Sequence, residues 1–164
     1  MLFEKRDIVT VGMMDGVVAH QANCMSRAAD GVAKVLFRAF PYSNCYAGRI
    51  RTGTPGRAVM RLPDTKGAGP VVANLMGQLY PGPPRPLFDP PEKRVEWFDS
   101  ALGEMLSWCA AFPGFSGRIY VPFGIGCGLA GGNWIQYREI IEKHESTNVT
   151  FIACRHTGSP RIGA

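Results

Sequence analysis

Residues Arg118–Trp134 read RIYVPFGIGCGLAGGNW. An apolar, β-rich run (Ile119, Tyr120, Val121, Phe123) enters a segment carrying Gly124, Gly126, Gly128, Gly131 and Gly132, and a helix-like pattern opens at Trp134. This is the order strand, glycine loop, helix N-terminus. Glycines at this density leave backbone N–H groups uncovered and the helix adds its positive dipole end, so the segment is expected to cradle a phosphate or diphosphate. The alternative is a flexible turn between core elements. A Walker loop would end in Gly-Lys-Ser/Thr, whereas this one ends in Gly131-Gly132-Asn133. Gly126, Gly128 and Gly131 spell G-x-G-x-x-G, but a dinucleotide-binding fold places that unit first, with several strand–helix units and an acidic residue after it. Here the chain has little left to supply them.

A chain of 164 residues can bury a full core without disulfides or metal, and the expectation is one domain over residues 1–164. Hydrophobic residues make up 46% and charged residues 19%, a globular balance, and no apolar run approaches the length of a membrane span. Cys24, Cys45, Cys109, Cys127 and Cys154 are odd in number and lack C-x-x-C pairs; with no signal-peptide pattern, they read as reduced thiols in a cytoplasmic protein, without a metal site. The net charge of +5 suits an anionic ligand, while the dispersed Lys and Arg form no basic-aromatic stripe of the nucleic-acid-binding kind.

Working outward, Leu2–Arg6 reads as an edge strand and Val17–His20 as a buried strand ending in Gln21-Ala22-Asn23-Cys24. From Gly31, Val32, Val35, Leu36, Ala39 and Phe40 fall on one helical face, with Lys34 and Arg38 opposite and Pro41 as the stop. Tyr42–Lys66 reads as a surface excursion with one strand at Ala58–Leu62. Val71–Leu75 is a further buried strand. A proline-rich loop at Pro81–Pro91 then precedes a helix from about Pro90 to Ala110, whose apolar face is Val95, Phe98, Leu102, Met105, Leu106 and Cys109; Asp89 with Glu92 fits its capping box. Asn133 and Gln136 are cap candidates for the last helix, Trp134–His144, and Val149–Cys154 is the final strand. Long crossovers between buried strands imply a largely parallel sheet with helices on both faces.

Three stretches together resemble a known family, the macrodomains that bind ADP-ribose, and in particular the branch similar to ADP-ribose 1″-phosphate phosphatases: Arg6-Asp7-Ile8 with Asp15–Cys24 (DGVVAHQANC), Val72–Gln78 (VANLMGQ) and Val121–Trp134 (VPFGIGCGLAGGNW). The resemblance implies a three-layer α/β/α fold with a mixed, largely parallel sheet, and ADP-ribose lying across the carboxyl ends of the strands. It implies no cofactor. Asp7 would accept from the adenine amino group, with Ile8 beside the ring, and Asn23 would hold the distal ribose. The first loop would lie at Ala28–Val32, with Gly31 and Val32 at the ligand. The second would wrap the phosphates with Gly124, Ile125, Gly126, Cys127 and Gly128, reaching Leu129. The chain departs from the family at Ala29-Asp30-Gly31, where Gly-Ala-Gly is usual, at Arg6 before Asp7, and at Ala130, where the branch that works through a lysine adduct needs an acid.

His20 stands where the phosphatase-like branch carries a His, and an imidazole there could take a proton from attacking water. The competing reading is a buried strand histidine bonded to backbone. Asp30 and Asp89 are candidate acids, Asp89 fitting a helix cap as well. Cys127, in a glycine loop before a helix, has a setting that lowers thiol pKa, although the resemblance treats it as a packing residue. The expected function is metal-free hydrolysis of an ADP-ribose derivative; the alternatives are a non-catalytic ADP-ribose reader and a nucleic-acid-binding protein.

Overall fold

The parallel sheet expected from the crossovers is the centre of the computed structural model, which describes residues 1–49, 52–65 and 69–156. Six strands, β1 (Leu2–Glu4), β2 (Val17–Asn23), β3 (Ala58–Arg61), β4 (Val71–Gln78), β5 (Arg118–Pro122) and β6 (Thr150–Cys154), lie in the order β1-β6-β5-β2-β4-β3. All neighbours are parallel except β3, which pairs antiparallel with β4 at one edge. The helices are α1 (Gly31–Ala39), α2 (Pro91–Ala111) and α3 (Trp134–Lys143). Of the surface excursion, Ile50, Arg51 and Lys66 lie outside the described residues.

Successive strand residues point to opposite faces, so the apolar runs supply two cores at once. Val17, Ala19, Val71, Ala73, Ile119 and Val121 face α2 and α3, where Phe98, Leu102, Met105, Tyr137 and Ile141 are buried. Val18, Ala22, Val72, Met76, Tyr120 and Ile152 face α1 with Ala33, Leu36 and Phe37. Each fully buried Leu, Ile or Phe contributes about 2–3 kcal/mol to holding the layers together. The result is a three-layer α/β/α arrangement with a mixed, largely parallel sheet.

Two local expectations are corrected. The buried stripe of α1 is Ala33, Leu36, Phe37 and Phe40, while Val32 and Val35 stand 41% and 51% exposed and Ala39 is exposed too. The helix is thus turned from the predicted face, and its two valines look into a cleft at the strand ends. The capping box of α2 does not form: Pro90 is the N-cap, with no side-chain cap bond and Pro91 as the first helical residue, where a missing N–H removes nothing. Asp89 points elsewhere.

His20 lies under α1, 1% exposed, with its ring edge-on to Phe37. Its Nε2 is 2.8 Å from Asn74 Oδ1 and its Nδ1 is 3.2 Å from the Gln21 carbonyl. Asn74 in turn donates to the Ser43 and Val59 carbonyls, joining β4 to β3 and to the turn after α1. Burial pushes the imidazole down to about 4, against these hydrogen bonds, so the ring is neutral in the fold. A neutral ring has one N–H, and the shorter contact with Asn74 is the one it serves best.

The sign of the resulting pH dependence follows. Between the ordinary histidine value near 6.5 and about 4, the unfolded chain takes up a proton that the folded chain refuses. Stability is therefore complete above pH 6.5 and falls as pH drops through this window, by up to about 3 kcal/mol from this residue. Denaturant unfolding of the wild type and His20→Gln at pH 7 and pH 4.5 checks it: the wild type is expected to lose more stability on acidification, and equal losses would refute the assignment.

Candidate functional site

At the carboxyl ends of β1, β5 and β6 a cleft of about 470 Å³ opens, lined by Asp7, Ile8, Gly31, Val32, Val35, Pro122, Phe123, Cys154, Arg155 and His156. Ligands of open α/β sheets sit at such ends because the ladder stops there and loops choose the residues. The exposed Val32 and Val35 of α1 form one wall, and the Phe123 ring, with the Arg155 guanidinium 4.2 Å above it, forms another. A flat apolar slot of this kind suits an aromatic ring.

Asp7 stands at one end of the slot. Its Oδ1 accepts the Val9 N–H at 3.2 Å, capping the short 3-10 turn Ile8–Thr10, and its Oδ2 lies 3.3 Å from His156 Nε2. Ile8 is buried beside it. A turn role and a place in the cleft thus coincide in Asp7.

From Pro122 and Phe123 the chain runs into the glycine loop. Gly124, Gly126 and Gly131 hold φ of +72°, +76° and +68°, a left-handed conformation that other residues adopt only with strain. At Gly126 a side chain is also excluded by space, since a Cβ would fall 2.5 Å from the Tyr137 ring. The loop curls back on itself through Cys127 N–H to Gly124 O, Gly131 N–H to Gly128 O and Gly132 N–H to Gly126 O, all at 2.9–3.0 Å. Among the described residues nothing takes the N–H groups of Gly124, Gly126, Gly128 or Leu129. Those are donors of the kind a phosphate cradle needs. Asn133 caps α3 by accepting the Ile135 N–H, so the positive helix end follows directly.

The two loops meet. A Cβ on Gly31, which has φ of +54°, would lie 3.1 Å from Leu129 Cδ1, and Leu129 itself is 60% exposed. Asp30 is exposed and its Oδ1 accepts the Gly31 N–H at 2.8 Å, making it the N-cap of α1. Ile125 turns inward, 3% exposed, as part of the core under the loop. Asn23 is largely committed: its Oδ1 accepts from Met25 and Ser26 N–H, and its Nδ2 donates to the Tyr46 hydroxyl, leaving one N–H to offer. Arg49 braces the same turn by donating to the Asn23 and Ser26 carbonyls while lying 4.8 Å over the Tyr46 ring.

The candidate catalytic residues His20 and Asp89 are both buried. His20 is not among the residues lining the cleft; it is a buried strand histidine beneath α1, with both ring nitrogens against protein oxygens and burial pushing its pKa down to about 4. Asp89 is fully buried, with one oxygen accepting from Arg94 Nε at 2.8 Å and the other from Arg94 and the Tyr80 N–H. Cys127 does not acquire an activated thiol: burial pushes it up to about 11, and its Sγ–H donates to the Ile125 carbonyl at 3.3 Å.

Other residues of the slot have no ligand role in the sequence reading: Val35 falls on the predicted core face, Phe123 in the run that enters the glycine loop, and Arg155 and His156 beyond the last predicted strand. A usable signal existed for the valines, because Ala33, Leu36, Phe37 and Phe40 form an equally regular stripe that leaves Val32 and Val35 over. No comparable signal marks Arg155 or His156.

The sequence matches no model of a known protein family and no curated protein. Its structure is similar to solved structures. The macrodomain of Thermus aquaticus DarG superposes with a TM-score of 0.68 over 93% of this chain and 96% of that one, at 16% identity. The macrodomain of Mycobacterium tuberculosis DarG gives a TM-score of 0.67 over 94% and 96%, at 14% identity. The superpositions extend over nearly the whole of both chains: this chain has the macrodomain fold.

Proposed function

We propose that the protein binds ADP-ribose or a close derivative in the cleft. The observation that carries this reading is the juxtaposition of an apolar slot ending in a carboxylate with a loop offering uncommitted N–H groups. The slot fits an adenine ring between Val32, Val35, Ile8 and Phe123, and Asp7 offers an acceptor for its amino group. Pro122 and Phe123 lead straight into Gly124, so the diphosphate falls against the loop and the N-termini of α1 and α3. The resemblance in the sequence and the macrodomain fold both support this ligand.

Calorimetry tests it: ADP-ribose is expected to bind more tightly than AMP or NAD, and a folded protein giving no heat at millimolar ADP-ribose would refute the proposal. Asp7→Ala is expected to remove roughly 1–3 kcal/mol of that binding, as for a hydrogen bond to a charged group. An unchanged affinity would put the adenine elsewhere.

The second reading is metal-free hydrolysis of ADP-ribose 1″-phosphate or an ADP-ribosyl adduct. With His20 and Asp89 buried, it rests on Asp30, an exposed carboxylate that immediately precedes Gly31 of the cleft lining. A carboxylate there can accept a proton from water attacking the ligand. In that case Asp30→Asn is expected to lower turnover by about 10²–10⁴-fold with ligand affinity within a few-fold, while His20→Gln leaves turnover largely intact. If the wild type turns over neither substrate, a non-catalytic reader is what remains.

A further inference from the structure

Arg94 is an arginine on the buried stripe of a helix, four residues before Phe98, and its side chain is 2% exposed. A buried guanidinium requires a counter-charge and acceptors for its remaining N–H groups, or it destabilises the fold. Asp89 supplies the charge through both oxygens. The remaining acceptors are all backbone: Gly82 O and Ala130 O at 2.8 Å from one terminal nitrogen, Pro83 O at 3.2 Å and Tyr80 O at 3.3 Å from the other. Two of these carbonyls, Gly82 and Pro83, belong to the proline-rich loop before α2, Tyr80 immediately precedes it, and Ala130 belongs to the glycine loop.

We infer that Arg94 is a positioning residue for the phosphate end of the ligand site, tying the glycine loop to the proline-rich loop through a buried ion pair. The inference deepens the ADP-ribose reading and rests on it for the identity of the ligand. A loop so rich in glycine has many conformations available, and donors that must be ordered on binding weaken it. The bond to Ala130 removes part of that freedom beforehand. The proline-rich loop is a stiff anchor, and it also packs on the next residue: a Cβ on Gly131 would lie 3.5 Å from Pro84 and 3.6 Å from Pro83. Only an arginine can serve so many acceptors from one planar head; a lysine in its place has three donors and no fork.

The adenine slot is built mainly on the turn after β1, on α1 and on the end of β6, and meets the glycine loop through Pro122 and Phe123 at its entry, not through Ala130, and this separates positioning from general damage. In Arg94→Lys, affinity for ADP-ribose is expected to fall roughly ten- to a hundredfold, as for one or two lost bonds to a charged phosphate, while affinity for adenosine stays within about twofold. Hydrogen exchange of the Cys127, Gly131 and Gly132 amides is expected to quicken without ligand, with the core amides of β2 and β4 unchanged. Should Arg94→Lys fail to fold, the double variant Asp89→Leu with Arg94→Met, which removes both buried charges, is read in the same way. Equal loss of adenosine and ADP-ribose, or loop amides that exchange as in the wild type, would overturn the inference. A wild type that binds no ADP-ribose while loop exchange still quickens in the variant would sink the ligand reading and leave the tether standing.

Discussion

A sheet whose neighbouring strands run parallel cannot be joined by tight hairpins, and this constraint shapes the whole molecule. β4 and β5 must each be followed by a connection that returns the chain to the opposite end of the sheet, and α2 and α3 make those two returns. Five of the six strands run together, so their carboxyl ends lie on one side. The loops containing Asp7, Asp30, Gly126 and Arg155 gather there as a consequence. The site is a by-product of topology before it is a product of particular residues.

What the particular residues add is a division of labour between rigid and permissive backbone. The slot is walled by side chains mounted on α1 and on strand ends, with Ile8 and Phe123 packed into the neighbouring cores. The glycine loop has no such walls of its own, and its shape comes from three internal backbone bonds, from Tyr137 beneath Gly126 and from the carbonyl held by Arg94. An exposed ion pair would contribute little to such a task. The Asp89–Arg94 pair is buried, where attraction is screened less and an unsatisfied donor is expensive, so its geometry is sharply specified.

Much of this was legible in the sequence because it depends on local rules. The runs Val17–Ala19, Val71–Ala73 and Ile119–Val121 are apolar at consecutive positions, which only a doubly covered strand can use, and all three lie on interior strands of the sheet. The glycine loop was legible for a similar reason: alternating Gly residues have a backbone meaning that tertiary context rarely reverses. Periodicity failed at α1, where Val32, Val35 and Leu36 define one stripe and Ala33, Leu36 and Phe37 another. A valine facing an apolar cleft and a valine facing a core look the same in sequence, because the burial that separates them is set by parts of the chain far away.

The charged and titratable residues were harder still, and the reason is physical. A side chain such as His20 or Asp89 has two opposed roles open to it, exposed reactant or buried strut, and only its surroundings choose. For His20 the choice is made by Asn74, fifty-four residues later in sequence, and by the ring of Phe37. For Asp89 it is made by Arg94, whose place on the apolar stripe of α2 was the one available hint, since a charge on such a stripe demands a partner nearby. In both cases the buried group holds other parts of the chain: Asn74 and His20 beneath α1, Asp89 and Arg94 between the proline-rich loop and the glycine loop. The polar side chains that line the cleft are Asp7, Arg155 and His156, brought together from beyond the ends of β1 and β6 by the common direction of the strands and not by nearness in sequence.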